Sequence, residues 1–225
     1  MQKHFITGII GLVIGLAVGF VGANKINRSW AESAVDTVVA GPSVTTPAVG
    51  AEAPVAAQAE VAAMIERARN EPNNFAVQMD MGQMYAKIGK FDKAAEFYRK
   101  GLAINPNNFQ ANVVLANALF DAREYEEAEK AYTRALEINP KDVNARTDLG
   151  TTFVERANPD YDRAIKEFDT ALSIDPKHEP SLYYLGIAYF RKGDNSNAEK
   201  ALKRLERANP SSDLVGRLKQ NLAAK

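Results

Sequence analysis

The stretch LEINPKDVNA, Leu136 to Ala145, decides the fold. A helical run ends at Asn139 and Pro140, because proline has no N–H to donate and pushes the residue before it out of helical geometry. Asp142 then stands where a short acidic side chain caps the first turn of a new helix. The same phrase recurs at Leu102 to Ala111 (LAINPNNFQA) and at Leu172 (LSIDPKH), with weaker copies at Asn70 to Asn74 (NEPNN) and Ala208 to Ser212 (ANPSS). Pro72, Pro106, Pro140, Pro176 and Pro210 therefore stand at intervals of 34, 34, 36 and 34 residues. The opening stretch is a hinge between stacked units.

Setting the prolines in register aligns four further positions. Gly82, Ala116, Gly150 and Gly186 coincide in the first half of each unit, followed by Tyr85, Leu119, Phe153 and Tyr189. In the second half Ala94, Ala128, Ala164 and Ala198 coincide, with Tyr98, Tyr132, Phe168 and Leu202 four residues further on. Small residues let two antiparallel helices approach closely, and the large ones fill the space beside them. Each unit is thus a helical hairpin with complementary faces.

This pattern resembles the tetratricopeptide repeat (TPR) family over Phe75 to Pro210, in a membrane-anchored, bacterial arrangement. The resemblance implies an all-α fold, a helical-hairpin solenoid of about four repeats, over residues 75–108, 109–142, 143–178 and 179–212. Two departures stand out. The family's tryptophan-like position holds Gln78, Asn112, Arg146 and Leu182, and Leu205 replaces a small residue in the fourth unit, which predicts looser packing there. Unit three has two extra residues within Arg156 to Asp162, expected in the turn between its helices. Residues 57–72 end in phase for a lone second helix, and residues 213–225 carry Leu214, Leu218 and Leu222 on one face. Both are expected to cap the open ends of the stack.

Ahead of the repeats the sequence changes character. Phe5 to Ala23 is uncharged and apolar, and as a helix it spans about 28 Å against a hydrocarbon core of about 30 Å. Lys3 precedes it, and Lys25 and Arg28 follow, so residues 1–28 are expected to form an N-terminal membrane anchor whose transmembrane helix covers about 5–23, an uncleaved signal-anchor rather than a cleaved signal peptide. Gly11, Gly15 and Gly19 recur on one face and favour self-association of the span. Residues 29–56, rich in Ala, Val, Thr and Pro, form a flexible tether with a reach of roughly 30 Å. The expected location is a single-pass inner-membrane protein whose repeats lie outside the cytoplasm, in the periplasm.

Composition narrows the function. Lys plus Arg and Asp plus Glu both number 28, so no strong field favours nucleic acid, and none is expected as a partner. There is no cysteine, which removes disulfide, thiolate and cysteine-ligated metal chemistry. The two histidines are His4 and His178, and the second is expected to be solvated in a loop between units. Neither a phosphate-cradling glycine loop nor an HExxH pair occurs. The acidic run Glu124, Glu126, Glu127 and Glu129 suits a helix start, and Lys200, Lys203, Arg204 and Arg207 suit a solvated face. We expect no enzyme activity, no catalytic residue, no cofactor and no metal.

The family resemblance implies a concave groove lined by the first helix of each unit, a binding site for a peptide or protein segment. Carried over position by position, its residues are Met79, Gln83, Val113, Val114, Asn117, Phe120, Thr147, Asp148, Thr151, Tyr183, Tyr184, Ile187 and Phe190, with Asp121, Glu155 and Arg191 beside them. The clamp that some relatives use for a chaperone's terminal carboxylate is missing, since Met79, Asn144 and Asp148 replace its basic residues. The expected function is a membrane-tethered scaffold for a protein partner. The alternatives are an assembly factor that holds an apocytochrome during cytochrome c biogenesis, and a regulatory subunit of an envelope enzyme complex.

Overall fold

The computed structural model describes residues 55–224, with side chains from residue 61 onward. The expected span, its glycine face and the tether as far as residue 54 lie outside the described residues. Among the described residues, no helix is long and apolar enough to cross a membrane. They form ten helices and no strand. In chain order these are α1 (Val55–Asn70), α2 (Phe75–Lys87), α3 (Phe91–Ile104), α4 (Phe109–Asp121), α5 (Tyr125–Ile138), α6 (Val143–Glu155), α7 (Tyr161–Ile174), α8 (Glu179–Lys192), α9 (Asn195–Ala208) and α10 (Asp213–Ala223).

The helices pair as α2–α3, α4–α5, α6–α7 and α8–α9, and the second helix of each pair also packs on the first helix of the next. That contact pattern is a solenoid. α1 packs on α2 and α10 on both α8 and α9, so a single helix sits at each end. The turns inside the first two hairpins are residues 88–90 and 122–124, whereas the third spans 156–160, two residues longer. Gly89 (φ 70°) and Arg123 (φ 64°) take the left-handed conformation in the first two turns. Glycine adopts that geometry freely, while an arginine there is strained.

Every hinge caps the helix after it. Asn108 and Asp142 each accept the N–H three residues on at 2.8 Å, and Asn74 accepts those of Ala76 and Val77. The residues at the tryptophan-like position act on the same hinge. Gln78 donates to the carbonyl of Pro72, Asn112 to that of Pro106 and Arg146 to that of Pro140, at 3.1, 3.2 and 2.9 Å. A long polar side chain thus satisfies the carbonyl that the proline turn leaves outside any helical ladder. Leu182 has no polar group, and it is fully buried instead.

The small positions are where the register predicts contact. A Cβ on Gly82 would lie 2.3 Å from the Tyr98 ring, and one on Gly150 would lie 2.5 Å from the Phe168 ring. In unit four the corresponding neighbour is Leu218 of α10, 2.7 Å from a Cβ on Gly186. Leu205 is wholly buried, so the expected loosening of unit four is not seen: the larger side chain fills its site.

Candidate functional site

The first helices α2, α4, α6 and α8 carry all the groove residues expected from the sequence. The structure sorts them into open and packed positions. Gln83 is exposed, and Met79, Val113, Val114, Asn117, Phe120, Asp148, Tyr184 and Phe190 are half-buried. Thr147, Thr151, Tyr183 and Ile187 are buried at the joints between helices, where their side chains do not reach an open face.

The reasons are local. Thr147 and Thr151 turn their hydroxyls back onto the carbonyls of Val143 and Thr147, one helical turn earlier, at 2.7 and 2.9 Å. Tyr183 lies under α10, with the Arg217 guanidinium 5.6 Å from its ring centre and the Asn221 amide 3.4 Å from its hydroxyl. Met79 packs toward Gly101 of α3, where an added Cβ would come within 2.8 Å of its sulfur. Phe120 meets the Tyr125 ring edge-on at 5.4 Å.

Three of the remaining residues, Asn117, Asp148 and Tyr184, meet in one recessed polar centre with Asp121, which the sequence set beside them, and with Tyr132, which it did not name for the groove. Asn117 of α4 accepts the hydroxyl hydrogen of Tyr132 at 2.6 Å, and that phenol is otherwise enclosed. Asn117 is therefore a structural partner as well as a groove residue, and truncating it strands a buried donor. Burial pushes the Asp121 carboxyl up to about 6. Asp148 rises to about 7, mainly through burial and further through the charges of Asp142 and Asp121. Asp121 ionises first, and its charge then opposes ionisation of Asp148.

The Tyr132 hydroxyl is pushed well up by burial and by both carboxylates, and that of Tyr184 is raised to about 12 by burial and by Asp148. Asp121, Asp148 and Tyr184 thus share one electrostatic environment across three successive first helices. Neither carboxylate has a hydrogen-bond or ion-pair partner among the described residues. Desolvated carboxylates of this kind favour a ligand that brings N–H donors or positive charge. Tyr184 also stacks on Phe168, with ring centres 6.2 Å apart, which fixes the wall of this centre.

His178 is the residue the sequence reading misplaced. It is buried, and its side chain caps α8 by accepting the N–H of Ser181 at 3.3 Å. The register held the signal: Asn74, Asn108, Asp142, His178 and Ser212 each follow a hinge proline by two residues. Histidine seldom serves as a cap, and its residue type alone pointed to solvent.

The sequence model of the tetratricopeptide repeat matches residues 87–149 and 155–222, and a second tetratricopeptide repeat model matches residues 51–109. The chain belongs to the tetratricopeptide repeat family. No curated protein matches it in sequence. Among solved structures, a crystal structure of MamA is 25% identical with a TM-score of 0.62, covering 67% of this chain and 86% of that one. A second crystal structure of MamA protein is 25% identical with a TM-score of 0.61, covering 67% and 81%. MamA from Desulfovibrio magneticus RS-1, residue 41 to its end, shares the fold at 23% identity and a TM-score of 0.63, covering 69% and 87%. As a TPR solenoid the chain is a protein–protein interaction scaffold.

Proposed function

We propose that this TPR protein is a non-enzymatic scaffold, tethered to the inner membrane by its N-terminal segment, that takes an extended segment of a protein partner along the face of α2, α4, α6 and α8. The observation behind this reading is the partnerless acidic centre of Asp121 and Asp148, walled by Tyr184. The segment that fits such a centre carries a lysine or arginine there, with main-chain N–H groups on either side. The apolar run at Phe5 to Ala23 supports the tether, and its glycine face supports pairing of two spans.

The test is co-purification of the full-length chain from mild detergent, in parallel with Asp148→Asn and Asp148→Lys variants. The parent is expected to retain one protein partner that both variants lose, and partner retention by Asp148→Lys would overturn the groove assignment. The partner's identity separates the readings, because an apocytochrome or an enzyme subunit is recognised at once. A reporter fused after Lys225 that is active only in the cytoplasm would overturn the extracytoplasmic placement.

Asp148 also carries a stability signature. Its folded carboxyl binds a proton more readily than the unfolded chain does, so its charge penalises the fold fully above about pH 7, and the penalty shrinks as pH falls from there toward the ordinary value of 3.8. Asp148→Asn is expected to melt above the parent at pH 8, with the gap narrowing steadily as pH falls below 7.

A further inference from the structure

The joint between units three and four is polar where the register leads one to expect apolar packing, and its centre is an imidazole that the groove does not use. His178 Nε2 lies 3.0 Å from Asn144 Oδ1 on α6, an acceptor, so Nε2 holds the hydrogen. Nδ1 is then an acceptor, and it receives the Ser181 hydroxyl at 2.7 Å and the Ser181 N–H at 3.3 Å. Ser181 Oγ in turn lies 2.6 Å from Thr147 Oγ1, whose hydrogen is shared with the Val143 carbonyl at 2.7 Å. Thr147 Oγ1 is also 3.5 Å from Nδ1. Thr147, His178 and Ser181 are all buried. One neutral imidazole therefore caps α8 and ties it to α6.

A proton on Nδ1 reverses that role. It removes the acceptor that caps α8, leaves the Ser181 N–H unsatisfied, and makes the Ser181 hydroxyl accept from the ring and donate to Thr147 instead. It also sets a positive charge at the N-terminus of α8, where the helix dipole opposes it. The charged groups facing the ring are Asp175 at the end of α7, Asp142 at the start of α6 and Glu179 in the first turn of α8; all three favour the cation. Burial outweighs them and holds the imidazole below its ordinary value of 6.5.

We propose that His178 is a proton-operated latch, whose protonation uncaps α8 and weakens the joint of α8, α9 and α10 with α6, the Nε2–H bond to Asn144 persisting, while the joints between the earlier units are unaffected. The earlier hinges have Asn74, Asn108 and Asp142 in the same position, so only this joint is capped by an imidazole. The folded imidazole binds its proton less readily than the unfolded chain does. The joint is therefore fully formed above pH 6.5 and weakens as pH falls below that value. Asp121 and Asp148 titrate in the same range with the opposite sign, so whole-protein melting mixes the two effects and the readout must be local. The latch stands whether or not the groove binds a segment.

The test uses the full-length chain, whose two histidines, His4 and His178, give a simple imidazole spectrum. The His178 resonance is expected to titrate below 6.5, and Ser181→Ala is expected to raise its midpoint by removing a donor to the neutral ring. Amide exchange is compared between α8–α10 and α2–α5, so that the intrinsic pH dependence cancels. The ratio is expected to rise on acidification by up to about tenfold for each unit that the midpoint lies below its ordinary value. In His178→Asn, which still caps but takes up no proton, the ratio is expected to stay level. A His178 midpoint at or above 6.5, a midpoint unmoved in Ser181→Ala, or a ratio in the parent that ignores pH would overturn the latch.

Discussion

The two halves of the solenoid are built from the same hairpin but joined in different ways. In α1 to α5 most ion pairs lie within one helix, three or four residues apart: Arg69 with Glu66, Lys93 and Lys100 with Glu96, Lys130 with Glu127, and Arg134 with Glu137. Beyond α5 most of them join different elements, Arg156 with Asp160 being the exception within a turn. Arg146 binds Glu167, Arg156 and Arg163 converge on Glu129, Arg191 binds Glu155 and Lys192 binds Asp162. Pairs within an exposed helix support that helix alone, whereas pairs across helices tie neighbouring units together. The difference predicts that, above pH 6.5 where the His178 joint is fully formed, the C-terminal half opens as one block and the N-terminal half unit by unit.

The strongest way to break that contrast is to remove the centre of the block. Phe168 is fully buried behind Gly150 and Tyr184, so Phe168→Ala is expected to cost about 3–5 kcal/mol and to lower the melting of α6 to α10 together. Exchange measured helix by helix checks this, and loss confined to α7 would sink the idea of a block. A matched pair sharpens it. Gly82→Ala and Gly150→Ala each drive a methyl into a ring, at a cost of about 1–3 kcal/mol. The larger loss is expected at Gly150, because Phe168 is sealed while Tyr98 retains 4% exposure through which its ring can shift.

Smaller effects test the charges. Glu129→Gln breaks two contacts between units, to Arg156 in the turn and to Arg163 on α7, and is expected to cost about 0.5–1 kcal/mol, while Glu96→Gln is expected to fall near zero in the same chemical-melting series. Equal losses would mean that pairs across helices do no more than local ones. The smallest expected change is a gain. Arg123→Gly relieves the left-handed turn of unit two and is expected to add up to about 1 kcal/mol, read from the denaturation midpoint.

Much of this architecture was legible because it is periodic. Proline hinges, small residues and aromatic partners recur in register, and a repeat of one hairpin has few ways to stack, so hairpin pairing and the two extra residues of the third turn could be read from spacing alone. The groove was legible only as a set of positions. Thr147 and Tyr184 both read as groove residues by register, yet one is sealed against α8 and the other walls the acidic centre. Which of them is open depends on how far each helix turns against the next.

The sequence by itself determined the repeat, the order of the helices and the caps at Asn108 and Asp142, because those rest on interactions between residues close along the chain. Tertiary structure decided the electrostatics. Asp121, Asp148 and Tyr184 lie on three different helices, and only stacking removes enough water to push the carboxyls to about 6 and about 7. It likewise turned His178 from a loop residue into a buried cap, since Asn144 and Thr147, its partners from the preceding unit, reach it only once α6 and α8 lie side by side.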